Sequence, residues 1–228
     1  MMFHLEKAPI TRPNPEHSES VQFTAGLLYD FPEIIIVPLE AGGKRPAQKF
    51  QRARKKNNQW NTNTKISIFR GWLRAGRNVG LVLHQTGLWV LDLDAESGWP
   101  STVDDAIAEL KPPQVRTPSG GRHCYFALPA DLIGHPHLKA HVVHPTIDGI
   151  KIPLDLKLGG RQTLVVAAGS QKGSNRYLPL TPWKQPPVLD PRKLFPSISM
   201  LHEHADQPFP DGFPRFDHYM PGIALLVY

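Results

Sequence analysis

Asp92 and Asp94 stand two residues apart at the end of an apolar run, Leu-Trp-Val-Leu-Asp-Leu-Asp over 88–94. Side chains alternate along a strand, so Trp89, Leu91 and Leu93 take one face while Val90, Asp92 and Asp94 take the other. Residues two apart on a strand lie about 6 to 7 Å apart, which lets their carboxylates converge on cations about 4 Å from each other. Two readings fit the pair: a solvated strand end, or a divalent-cation site. A third acid favours the second. Asp155 interrupts the leucines at 154, 156 and 158 beside Lys157, and an acid inside an apolar strand needs a partner, which a shared metal would supply.

Between these acids runs Thr117-Pro118-Ser119-Gly120-Gly121-Arg122-His123. A turn this rich in glycine brings backbone N–H groups close to an anion, and Ser119, Arg122 and His123 add side-chain donors. A phosphate cradle is one reading. An ordinary hairpin turn followed by a half-buried histidine is the other. Further on, His135, His137, His141 and His144 lie close together, but no cysteine or acid completes a zinc set beside them, so a short surface helix is the preferred reading. His202 and His204 sit in a proline-rich region with no apolar strand around them.

The charge of the chain is uneven. Net charge is +6, and eleven of the 26 Lys and Arg residues fall between positions 41 and 91, where there is no Asp or Glu. Such a run points to a polyanion partner. Lys44, Arg45, Lys49, Arg52, Arg54, Lys55, Lys56, Arg70 and Arg74 are the candidate nucleic-acid contacts. Gln51, Asn57, Asn58, Gln59, Trp60, Asn61 and Asn63 are interleaved with them as groups able to bond or stack on a strand. Lys65 and Arg77 complete the run.

The elements that must position these groups follow from periodicity and breakers. A short helix is predicted over 21–29, a buried strand over 34–37, and a helix over 64–75 with Thr64 as its cap and Gly76 as its stop. Ile66, Phe69 and Leu73 form the apolar side of that helix, leaving Arg70, Arg74 and Arg77 to face water or phosphate. Strands over 79–83 and 88–93 are predicted to pair as a hairpin. Ser101 with Asp104 reads as a capping box for a helix over 102–111. A strand near Val115, a strand over 122–128, a helix over 137–144, and a second hairpin of strands 152–158 and 163–168 complete the expectation. Antiparallel hairpins alternating with helices argue for an α+β fold.

Of the 228 residues one is cysteine, Cys124, which excludes an intrachain disulfide and a zinc finger built on several thiolates. A reducing, cytoplasmic setting is expected. No stretch approaches the roughly 20 apolar residues needed to cross a bilayer, and the first twelve residues lack a signal-like apolar core. The 24 prolines and 18 glycines crowd the ends. An irregular arm over 1–20, a catalytic core over 21–178 and a proline-rich tail over 179–228, wrapping or linking, are therefore expected.

Val90-Leu91-Asp92-Leu93-Asp94, then Arg116 through Phe126 (RTPSGGRHCYF), then Leu154-Asp155 together resemble the archaeo-eukaryotic primase superfamily, in particular the primase-polymerase (prim-pol) domain of phage and plasmid replication proteins. Upstream, Pro38 through Pro46 (PLEAGGKRP) is similar to that family's early strand and basic turn. The resemblance covers roughly residues 33–177. It implies an RNA-recognition-motif-like antiparallel sheet packed with a smaller α/β lobe. It implies a template-directed nucleotidyltransferase, a DNA primase, a DNA polymerase or both, acting on a DNA template or primer and nucleoside triphosphates. Asp92, Asp94 and Asp155 would be the ligands of two Mg²⁺ or Mn²⁺ ions. His123 would contact the incoming nucleotide, with Ser119, Gly120, Gly121, Arg122, Lys157 and Arg161 as further nucleotide-binding candidates. A replicative helicase is the partner such a protein would have, although no residue here argues for one. Two departures stand out: Gly121 replaces the serine many members carry two residues before the histidine, and Ala168-Gly169-Ser170 replaces a Pro-Pro-Ser. The competing function classes are a metal-dependent nuclease or strand-transfer replication initiator, and a non-catalytic nucleic-acid-binding module.

Overall fold

The structure is a computed structural model that describes residues 15–40, 42–47, 50–84, 86–94, 98–133, 144–147, 150–159 and 163–195. The chain opens with helix α1 (Pro15–Asp30), strand β1 (Ile35–Pro38) and helices α2 (Phe50–Asn57) and α3 (Thr62–Arg74). Strands β2 (Val79–Val82) and β3 (Leu88–Leu93) lead to helix α4 (Ser101–Leu110), then β4 (Gln114–Arg116) and β5 (Arg122–Ala127). Two-residue strands β6 (Thr146–Ile147) and β7 (Ile150–Lys151) precede β8 (Leu154–Lys157) and β9 (Leu164–Val166). The short pieces β10 (Gln171–Lys172), β11 (Asn175–Arg176), β12 (Leu178–Pro179) and helix α5 (Pro191–Leu194) close the described chain.

Two antiparallel sheets carry the molecule. One has five strands in the order β12-β4-β5-β3-β8, the other three in the order β1-β2-β9. Mixed helices and antiparallel sheets make this an α+β protein, as expected. The expected hairpins do not form. β2 and β3 lie in different sheets, and so do β8 and β9; the chain crosses between the two sheets at both places and once more between β9 and β12. The physical reason is that β2 already has β1 on one edge and β9 on the other. β3 is likewise flanked by β5 and β8. Both strands are buried on both faces, and strands of that kind read as continuous apolar runs whose partner is not set by nearness in sequence.

The faces of the larger sheet belong to two cores. Trp89, Leu91 and Leu93 of β3, Cys124 and Phe126 of β5 and Leu154 and Leu156 of β8 form one core, covered by Val103 and Ile107 of α4 and by Leu189, Leu194 and Phe195. Val90, Val115, Tyr125 and Tyr177 face the other way and join the core that α1, α3 and the three-stranded sheet share. Alternation along β3 thus points its carboxylate at residue 92 away from the α4 side.

Local details depart from the expectation in instructive ways. α1 begins at Pro15, six residues ahead of the predicted start, and so includes the last residues of the expected irregular arm; proline is well suited to a first helical turn. The cap of α3 is Asn61, whose side chain accepts from the Thr64 backbone N–H at 2.8 Å, so Thr64 is capped rather than capping. Ser101 is the first residue of α4, and its predicted partner Asp104 instead accepts from the Trp99 indole at 3.1 Å. Periodicity does not anticipate α2. Its anchor is Asn57, whose amide accepts from Ile36 N–H and donates to Ile36 O, each at 2.9 Å, clasping β1 as a neighbouring strand would. The expected helix over 137–144 falls largely outside the described residues.

Candidate active site

The register of three neighbouring strands builds the site. Asp92 on β3 pairs with Asp155 on β8 on one side and with His123 on β5 on the other, which sets the three side chains in a row across the sheet. The apolar residues between them, at 91, 93, 124, 154 and 156, all face the α4 core, so alternation sends residues 92, 123, 155 and 157 to the opposite face. Asp94 leaves the strand end as an exposed residue, and its backbone N–H donates to Pro153 O at 3.0 Å. Asp155, distant in sequence, is therefore brought beside Asp92 and Asp94 in one sheet.

A lysine and two histidines stand against this row. Lys157 Nζ lies 3.1 Å from Asp92 Oδ2 and 3.6 Å from Asp155 Oδ2. His123 Nε2 lies 3.3 Å from Asp92 Oδ1. His144 Nδ1 contacts Asp155 Oδ1. Burial alone would raise the Asp92 carboxyl, but the His123 ring and the Lys157 ammonium together outweigh it and hold the group well below the ordinary carboxylate range. Asp94 moves the other way: partial burial and the charges of Asp92 and Asp155 raise it, with Lys157 and Lys44 opposing. Two carboxylates of unlike proton affinity, Asp92 lowered and Asp94 raised, result two residues apart. Burial and the Asp92 charge also push the Tyr177 phenol up to about 12, so it stays neutral 5.6 Å, ring centre to ring centre, from His123. Burial pushes the Cys124 thiol up to about 12 as well, which leaves the one cysteine without nucleophilic character.

The donor set suits a hard divalent cation, because carboxylate oxygens are the ligands that Mg²⁺ and Mn²⁺ prefer. Among the described residues no three His, Cys, Asp or Glu side chains are arranged around a common metal position. The ammonium of Lys157 stands where the inner oxygens of Asp92 and Asp155 converge. The pair is thus disposed for a cation and already holds one. His123 Nδ1 is buried without a hydrogen-bond partner, an unspent polar atom on the same face.

The glycine turn is more committed than the sequence implied. Thr117 N–H donates to Gly121 O at 2.9 Å and Gly120 N–H to Thr117 O at 3.1 Å, so the Gly120 amide closes the turn rather than pointing at an anion. The Ser119 hydroxyl pairs with the Thr117 hydroxyl at 3.1 Å. A Cβ on Gly121 would come 2.0 Å from Leu93 O, which explains the missing serine: backbone of β3 fills the space any side chain would need. Arg122 shares the Cys124 face, opposite His123, and reaches toward Gln114 Oε1 at 3.5 Å. The structure does not bring Arg122 to the acids. Arg161 lies outside the described residues. Ser170 is buried, its hydroxyl accepting from Val79 N–H at 3.0 Å, which is a bond within the fold.

The basic run divides into surface and scaffold. Lys44, Arg45, Arg52, Lys55, Lys56, Arg70 and Arg74 are exposed, Arg54 lies on α2, and Lys49 is outside the described residues. Lys65 is not a surface cation: it is buried, its Nζ donates to Ile34 O at 2.9 Å and to Pro32 O at 2.5 Å, and burial lowers its proton affinity with Glu33 opposing. Asn57, Asn61 and Asn63 are likewise spent on β1, on the α3 cap and on the Tyr29 hydroxyl. Asn78, overlooked in the sequence, ties the turn carrying Lys44 to the body, bonding Gly43 O at 3.0 Å and Gln171 O at 2.7 Å.

The chain matches the sequence model of a family described as "Bifunctional DNA primase/polymerase, N-terminal" over residues 32–193. It belongs to the prim-pol family. No curated protein matches the chain. The prim-pol span begins just before β1 and ends within α5, so it encloses every strand of both sheets. Members of this family are nucleotidyltransferases of DNA replication and generally use divalent metals, which is the chemistry a row of carboxylates serves. No helix among the described residues of this prim-pol chain is long and apolar enough to cross a membrane.

One residue of the site is not singled out by the sequence. His144 falls among the other histidines of its segment, whereas in the fold it contacts Asp155. No local signal marks it, because its partner Asp155 stands eleven residues on and the pairing is tertiary. His135, His137, His141, His202 and His204 lie outside the described residues.

Proposed function

We propose that this chain is a template-directed nucleotidyltransferase, a DNA primase, polymerase or both, that joins nucleoside triphosphates by two-metal phosphoryl transfer in mobile-element replication. The observation that supports it best is the in-register row Asp155, Asp92 and His123 with Asp94 at the strand end. In this reading the five-stranded sheet is the RNA-recognition-motif-like sheet, and the β1-β2-β9 sheet with its helices is the smaller lobe.

Asp92, Asp94 and Asp155 would hold Mg²⁺ or Mn²⁺, which when bound lowers the pKa of an attacking hydroxyl and neutralises phosphate charge. Asp92, kept ionised by its neighbours, is the firm ligand. Asp94, exposed and of raised proton affinity, is the adjustable one. His123, held on Asp92 through Nε2, presents its ring toward the nucleotide, and Lys157 supplies a point charge for the triphosphate. Ser119 lies at the tip of the adjoining turn, with the Gly120 and Gly121 backbone shaping that turn so β5 can approach β3. The exposed cations of α2, α3 and the Lys44 turn carry the template or primer by its phosphates, without base readout.

Primer extension with labelled nucleotide tests this. The double variant Asp92→Ala with Asp94→Ala is expected to lose incorporation by roughly a thousandfold or more, since the charges that organise the transition state are gone. Undiminished incorporation sinks the reading. A shortened primer would identify a nuclease instead, and a bound but unchanged strand a binding module.

A further inference from the structure

All four oxygens of the Asp92–Asp155 pair meet a cationic or ionisable side chain, in a defined order. The outer ones, Asp92 Oδ1 and Asp155 Oδ1, face His123 and His144. The inner ones, Asp92 Oδ2 and Asp155 Oδ2, both face the Lys157 ammonium, at 3.1 and 3.6 Å. The lysine side chain is only 13% exposed and the two acids 11% and 16%, so this is a shielded contact and not a solvated surface pair.

We propose that Lys157 is a tethered counter-ion of the metal-free site, displaced by an incoming divalent cation and turned onto the triphosphate, so that metal and nucleotide bind cooperatively. The proposal rests on the two-metal reading given above.

The argument is one of space and charge. A divalent cation takes carboxylate oxygens at about 2.0 to 2.2 Å. It cannot share the gap between two Oδ2 atoms with an ammonium already there. The histidines flank the pair from outside and need not move. Lysine is suited to leaving, because its charge is compact, strongly hydrated and carried on four rotatable carbons. Once displaced, however, the ammonium is repelled by the doubly charged ion that replaced it. A nucleotide's phosphates relieve that repulsion by giving Lys157 a new anion. Metal alone therefore binds against a penalty that nucleotide removes, and linkage requires metal to tighten nucleotide by the same factor, typically 5- to 150-fold.

The test uses the full chain and Mn²⁺, with free Mn²⁺ read by its electron paramagnetic resonance signal, in the absence of nucleotide. Lys157→Met is expected to bind Mn²⁺ at least tenfold more tightly than the wild type, because the competitor has gone. Its metal-free form should melt at a lower temperature and gain more from Mn²⁺. In excess Mn²⁺ the same variant should bind a fluorescent deoxynucleoside triphosphate more weakly. Equal or weaker Mn²⁺ binding by Lys157→Met, while the wild type still binds and Asp92→Asn abolishes it, overturns the role of the lysine and leaves the metal site standing. No Mn²⁺ binding by either protein overturns both. Unchanged nucleotide affinity overturns the coupling. If Lys157→Met fails to fold, Lys157→Arg carries the test: its planar fork bridges both Oδ2 atoms more firmly, so Mn²⁺ affinity falls about tenfold, and an unchanged or higher affinity overturns the proposal.

Discussion

Asp92 shows how much of a site's behaviour one side chain's neighbours decide. Burial disfavours its charge, yet His123 and Lys157 stand close enough to reverse the sign. Its folded-state proton affinity is therefore below that of the unfolded chain, whose ordinary value is near 3.8. Between those two values the unfolded chain binds a proton that the folded one does not, so stability rises with pH there. The contribution is complete above the unfolded value and is lost as pH falls through and below it, the folding equilibrium changing about tenfold for each pH step between the two values. Urea unfolding of chelator-treated protein at pH 6 and at pH 3.5 is expected to show a larger acid-side loss for the wild type than for Asp92→Asn. Parallel losses would mean that the His123 and Lys157 contacts contribute nothing to the fold. Asp94 has the opposite sign, since its raised affinity penalises its ionised form and is relieved on acidification.

At the scale of elements, the described residues of the basic run separate into cations that can reach phosphate and a buried one, Lys65, that cannot. α2 exposes Arg52, Lys55 and Lys56 while Asn57 and Ala53 turn inward. α3 exposes Arg70 and Arg74 while Lys65 satisfies two carbonyls of the segment that leads into β1. Each phosphate contact adds about 0.7 to 0.9 to the slope of log affinity against log salt. Lys55→Ala with Lys56→Ala is therefore expected to lower that slope for single-stranded DNA, where each contact adds about 0.7, by about 1.4 in a fluorescence-anisotropy titration. Lys65→Met, which removes one formal charge of the same kind, is expected to leave the slope unchanged and to lower the melting temperature instead, since the buried Ile34 carbonyl and the part-buried Pro32 carbonyl lose their donor. A fall in slope for Lys65→Met would contradict the burial of that ammonium.

At the scale of the molecule, residues 180–195, which follow β12, are part of the structure that holds the sheets. Trp183 lies edge-on to Phe23 and Tyr125, with ring centres 5.1 and 5.9 Å apart, and its indole donates to Asp30 Oδ2 at 2.8 Å. Gly26 of α1 is its seat, for a Cβ there would come 2.3 Å from the indole ring. Farther along, the Trp89 indole donates to Leu189 O at 3.0 Å, and Leu189, Leu194 and Phe195 close the α4 core. Trp183→Ala is expected to cost roughly 2 to 4 kcal/mol, a fall of about 5 to 15 °C in melting temperature for a chain of this size. A melting temperature within a degree of wild type would show that residues 179–195 are laid on the domain without supporting it.

Asp92, Asp94, Asp155, His123 and Lys157 were legible in the sequence as polar residues set into apolar strands, because a period of two is a local property and needs no knowledge of the partner strand. The strand positions and most helices were legible for the same reason. The true strand partners, the inward turn of Lys65 and Asn57, the facing away of Arg122 and the approach of His144 to Asp155 were not. Each of these depends on which strand lies beside which, and strands buried on both faces look alike in sequence whichever sheet receives them. Spacing determined which side chains share a face. Only the packing of two sheets around a common core decided which faces meet, because the free energy that selects among pairings comes from burial summed over the whole chain rather than from any one segment.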